Sequence, residues 1–110
     1  MNTLATYAND MEAAQARNDA AQAAKRNAWA KACNAWHLAN ATGAERDIAA
    51  AKAIEQPACG IADAEAAASA RAYDFARLVY AVASSLPDML AGDQWQAVVA
   101  GLHEVFDTLD

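Results

Sequence analysis

The clearest regularity along the chain lies near its end, where Trp95, Val98, Val99, Leu102, Val105, Phe106 and Leu109 recur at three- and four-residue steps. Asp93, Gln96, His103, Glu104, Asp107 and Asp110 fill the positions between. Such spacing returns side chains to one side of a 3.6-residue helix, so it predicts a last helix with one packed and one wet face. Asp93 is its expected N-cap. Upstream, Ile61, Ala64, Ala68, Ala72, Phe75, Val79, Val82 and Leu86 mark the expected core stripe of a helix from about Ile61 to Leu86. Its other side holds Ala62, Ala66, Ser69, Tyr73, Ala76, Arg77, Tyr80 and Ala83, which are small or aromatic, with a single charge. A helix apolar nearly all round is expected at the centre of its bundle. Leu86-Pro87-Asp88 breaks it and Met89-Leu90-Ala91-Gly92 makes the connection.

The first part of the chain reads differently. From Thr3 to Ala41 there is no proline or glycine, and alanine, glutamine, lysine and arginine dominate, so one continuous helix is expected. At ~1.5 Å per residue it would run to about 58 Å, longer than a compact domain of this size is wide. It therefore projects, pairs with another chain, or breaks near Asn18-Asp19, where Asp19 and Gln22 suit a new helix start. On heptads, Leu4, Met11, Asn18, Lys25, Ala32 and Ala39 share one position, with Tyr7, Ala14, Ala21, Ala28, Ala35 and Thr42 at its companion. Thr42-Gly43 ends the run with the residue suited to a left-handed turn. A short helix from about Ala44, with Ile48, Ala51 and Ile54/Glu55 as its stripe, is closed by Pro57 and Gly60 around a loop containing Cys59. No stretch alternates with period two. The expectation is an all-α fold: an up-and-down bundle of three to four helices with a long, Ala-rich first helix, forming a single domain over residues 1–110.

Composition sharpens this in two ways. Hydrophobic residues make up 56% of the 110, but many are alanine, which favours helix while burying little area. Large apolar residues, including Met1, number nine in residues 1–60 and seventeen in residues 61–110, so the second half is expected to carry the core. Charge is divided as unevenly: six Lys/Arg face six Asp/Glu in the first sixty residues, and two face eight in the remainder, which holds all of the formal −6. That sign speaks against direct nucleic-acid binding, whose affinity comes largely from phosphate neutralisation. It suits solubility, or attraction to a basic protein surface. With no apolar run of about 20 residues and no signal-peptide pattern, the expectation is a soluble, cytoplasmic protein with no membrane partner, or one in the host cytoplasm if phage-encoded. Cys33 and Cys59 are expected to stay reduced.

Candidate chemistry is sparse. Cys33 and His37 stand one turn apart, and Cys59 with His103 would complete a Cys2His2 zinc set, but only one of these pairs has the close spacing of structural sites. Ser84, Ser85 or Cys33 with His37 or His103 would be needed for nucleophilic catalysis, and no motif brings them together. Asp63/Glu65 and Glu104/Asp107 are carboxylate pairs of the kind that helix surfaces carry routinely. The expectation is a protein that is not an enzyme and uses neither metal nor cofactor.

Two aromatic groups remain as protein-binding candidates. Trp29, Trp36 and His37 lie on the first helix, the tryptophans two turns apart with alanines between, where they suit either a partner or packing within the chain. Tyr73, Arg77 and Tyr80 lie at i, i+4 and i+7 on the lesser side of the third helix. The alanine-rich helical texture with widely spaced tryptophans resembles small helical immunity proteins and phage-encoded host-defence inhibitors such as anti-CRISPRs. The likeness is one of size, acidity and want of catalytic machinery, without a shared motif. It implies a non-catalytic module that binds a larger protein stoichiometrically. The alternative is a homo-oligomeric scaffold pairing through the Leu4–Ala39 seam, where Asn18 and Lys25 would set register. Sedimentation at micromolar concentration separates the two, because a plain monomer removes the seam as a self-association device.

Overall fold

A computed structural model describes residues 3–90 and 92–108, and the fold is all-α. Four helices follow one another: α1 (Leu4–Thr42), α2 (Glu45–Glu55), α3 (Ala58–Ser85) and α4 (Gln94–Thr108), with a 3-10 turn at Pro87–Met89. No strand occurs among the described residues. The roles expected of Met1, Ala91, Leu109 and Asp110 lie outside the described residues.

Helix α1 runs unbroken through Asn18-Asp19. Alanine propensity carries the backbone past that point, and Gln22 Nε2 donates to Asn18 Oδ1 at 3.1 Å as an ordinary i, i+4 pair. The helix stops at Gly43, whose φ of +64° is the left-handed conformation that glycine adopts without steric cost. Its N–H still donates to the Ala39 carbonyl at 2.8 Å. Thr42 then accepts the Ala44 N–H and donates its own hydroxyl to Asp47, leading the chain into α2.

Pro57 follows the end of α2 as expected, but it also opens α3, so no loop extends to Gly60. A proline suits a helix start, where its missing N–H would have had no partner, and its carbonyl accepts the Ile61 N–H at 3.0 Å. Cys59 and Gly60, expected in a loop, therefore lie in the first turn of α3.

The chain forms two compact units, one from Met1–Ala16 with Ala70–Asp110 and the other from Arg17–Ser69. Within Arg17–Ser69 the buried residues are Ala21, Ala32, Ala39, Ala51, Cys59 and Ala66, all of them small. Gln22 meets Ala66 and Lys25 meets Asp63, so contacts retreat along α3 as they advance along α1 and the two segments are antiparallel. This overturns the expected stripe for the first half of α3, because Ile61, Ala64 and Ala68 are exposed while Cys59 and Ala66, on the opposite side, are buried. The reason is energetic. Apart from Ile61 that stripe holds only alanines, whose burial gains little, whereas the other side offers α1 hydrogen-bond partners.

In the other unit Val79, Ala83, Leu90 and Trp95 are buried, and Tyr7, Phe75, Val82, Met89, Val98, Val99 and Leu102 pack against them. Trp95 is the largest fully buried side chain; its indole N–H donates to the Tyr7 hydroxyl, and the two rings meet edge to face with centroids 5.5 Å apart. Here the expected α3 stripe does pack through Phe75, Val79 and Val82, although Ala72 and Leu86 are exposed. Helix α3 thus buries only its lesser side in the first half, through Cys59 and Ala66, and parts of both sides in the second, through Val79 and Ala83; Asp74, Arg77 and Ala81 stay exposed, so it is not covered all round as an innermost helix would be. The packed side of α4 is turned toward His103, whose ring stacks 4.0 Å from Phe75. That rotation leaves Val105 58% exposed, against expectation. Arg71 sits over the Phe106 ring and bonds the Phe106 carbonyl and Asp107, joining α3 to the end of α4.

At a fully buried alanine of Arg17–Ser69 a larger side chain has to displace its neighbours. Ala51→Leu, at a fully buried position, is expected to lower the unfolding free energy by about 1–3 kcal/mol in a urea titration.

Candidate protein-binding surface

Within Arg17–Ser69, α1 presents Gln22, Trp29 and Trp36 at seven-residue intervals, two helical turns apart, so all three leave the helix on one side. Each donates to a neighbouring helix. Gln22 Nε2 reaches the Ala66 carbonyl at 3.1 Å, Trp29 Nε1 reaches Asp63 Oδ1 at 2.7 Å, and Trp36 Nε1 reaches Glu55 Oε2 at 2.7 Å. Lys25, one turn before Trp29, approaches the same Asp63 oxygen at 3.9 Å. Asp63 comes from the second turn of α3 and Glu55 is the last residue of α2, so the two indoles tie α1 to both helices. Charged acceptors make these stronger than neutral hydrogen bonds.

The Trp29 ring remains open. It is 42% exposed, and across from it Ile61 is 65% exposed, the most open large apolar side chain among the described residues. Between them lies a shallow groove of about 520 Å³, lined also by Glu55, Gln56, Pro57, Cys59, Gly60, Asp63 and Ala64. Gly60 and Ala64 are its small members, and a Cβ built at Gly60 would meet nothing within 4 Å. Cys59 is buried in its wall, and burial pushes its thiol above the ordinary value, with the Glu55 and Asp63 carboxylates adding to the effect. A second recess of about 320 Å³ in the same unit is formed by Ala24, Asn27, Ala28, Lys31, Ile54 and Ala58.

Of the residues singled out in the sequence, Trp29 lines this groove, Trp36 is half-buried on Glu55, and His37 is exposed one residue further along α1. Tyr73, Arg77 and Tyr80 belong to the other unit: both tyrosines are half-buried, and Arg77 is exposed with its guanidinium 5.5 Å from the Tyr73 ring. The seam positions Ala21, Ala32 and Ala39 are covered by this same chain. Ile61, Pro57 and Gly60 escaped the sequence reading, which took Ile61 for core and the other two for a loop. A seven-residue recurrence of Gln22, Trp29 and Trp36 was the available signal.

Among the described residues no three His, Cys, Asp or Glu side chains gather as metal ligands would. Ser84 and Ser85 donate to the carbonyls of Tyr80 and Ala81 at 2.9 and 3.1 Å, back along their own helix. Asp107 is held by Arg71 at 3.4 Å. No described helix is long and apolar enough to cross a membrane.

The two cysteines are predicted to differ. Cys33 is exposed and should react with a thiol reagent in the native protein, while Cys59 should react only when the fold opens, giving one fast thiol per chain in buffer and two in denaturant. Because the Cys59 proton is held more tightly in the folded state, stability is expected to be unaffected by this group below pH 9.0 and to fall as pH rises above it, a loss absent in Cys59→Ala. Set against protein-family models, curated proteins and solved structures, the chain matches none of them.

Proposed function

We propose that the protein acts without catalysis, by stoichiometric binding to another protein through the groove between Trp29 and Ile61. The observation that carries this reading is the open pair itself, a two-fifths exposed indole and a two-thirds exposed isoleucine lining one groove. Covering a side chain of this size is worth roughly 1.5–3 kcal/mol, and a tryptophan held in place by its own chain loses little freedom when a partner closes over it. The hydrogen bonds to Asp63 and Glu55 supply that hold. Tyr73 and Tyr80 are the weaker site, since both are already half-buried.

A blocking role in the cytoplasm, of the immunity-protein or anti-CRISPR kind, is the finer form of this reading; it follows from the resemblance in size and acidity. In that role the groove would cover a working surface of the larger protein. The test uses the tagged full chain to recover a partner from its own cells, followed by titration of the purified pair. Ile61→Lys is expected to keep the helical spectrum and to weaken binding at least tenfold; Trp29→Ala should weaken binding as much and also lower stability, since it removes the bond to Asp63. Full affinity in both variants would remove this face as the binding site.

A further inference from the structure

We propose that the unit formed by Met1–Ala16 and Ala70–Asp110 carries a separate binding site for a small organic ammonium ion, an amine borne on an aromatic or branched apolar group. The site is a recess of about 230 Å³ walled by Tyr7, Phe75, Ala76, Val79 and Val99, with Asp10 as its one charged member. Its walls come from three helices, α1, α3 and α4, and two of them are aromatic. An apolar cavity of about 150 Å³ is enough for a benzene ring, so this one has space for a ring and a short arm.

Charge selects the ligand's sign. Asp10 stands one turn of α1 beyond Tyr7, and among the described residues no cation pairs with it. The unit as a whole carries two arginines against eight Asp/Glu, so it accounts for the full net charge of −6 while Arg17–Ser69 is balanced at six against six. Both arginines are occupied away from the recess, Arg71 by Phe106 and Asp107 and Arg77 by the Tyr73 ring. A carboxylate ligand would enter against this field and find no cation, whereas an ammonium ion would be drawn in and meet Asp10 beside the Tyr7 and Phe75 rings. The pattern, apolar walls and one placed charge, is that of small-molecule sites generally.

Tyr7 makes the site observable. Its hydroxyl accepts the Trp95 indole N–H, so a ligand against Tyr7 changes the environment of that one proton. The full chain, labelled with nitrogen-15, is titrated with 2-phenylethylamine and separately with 3-phenylpropionate, which is similar in size and opposite in charge. The expected result is a saturable movement of the Trp95 indole signal with the amine, and binding at least tenfold weaker for the carboxylate. Asp10→Asn, a change at an exposed position, should weaken the amine about three- to tenfold and should not weaken the carboxylate. Ala76→Leu should fill the recess and abolish the movement. No saturation by about 10 mM amine, equal affinity for the two compounds, or an Asp10→Asn titration superposable on the parent would each overturn the proposal.

Discussion

Hydrogen bonds from one side of α1, made every seventh residue, hold together a unit that burial alone would hold poorly. Ala21, Ala32, Ala39, Ala51 and Ala66 let helices approach closely, but each removes little apolar surface from water. An all-alanine seam also specifies register weakly, since sliding one alanine past another changes little. The donors of Gln22, Trp29 and Trp36 correct both defects. Gln22 reaches a backbone carbonyl, of which every turn offers one, but the indoles reach the Asp63 and Glu55 carboxylates, and a shift of one turn would leave those two unmatched.

Those same bonds explain how a tryptophan can be both structural and available. The indole of Trp29 has a polar edge and a large apolar body. Its N–H is committed to Asp63 within the chain, while much of the ring stays open beside Ile61. Packing within the chain thus claims the polar edge of this side chain and leaves much of its apolar body exposed. Trp36 lies further toward the internal role, being half-buried on Glu55.

The two units solve different problems with the same helices. Where large side chains are plentiful, from Phe75 to Phe106, burial around Trp95 dominates and the charges are left to accumulate on the surface. Where they are scarce, opposite charges balance and polar side chains supply the register. The change of buried side along α3 follows from this division: its second half packs by size, its first half by hydrogen-bond opportunity.

Much of the fold was legible from local chemistry. The proline-free, alanine-rich run specifies α1, Gly43 its end, Pro87 the end of α3, and the three-and-four spacing after Asp93 the sidedness of α4. These features act within a few residues of themselves, through φ restriction, propensity and periodicity, so sequence by itself determined them. Which side of α3 faces α1, whether Ile61 is core or surface, and the turn of α4 that stacks His103 and frees Val105 were decided only in the tertiary structure. They depend on acceptors and rings brought from tens of residues away, and a helical stripe made mostly of alanine carries too little burial energy to dictate its own partner.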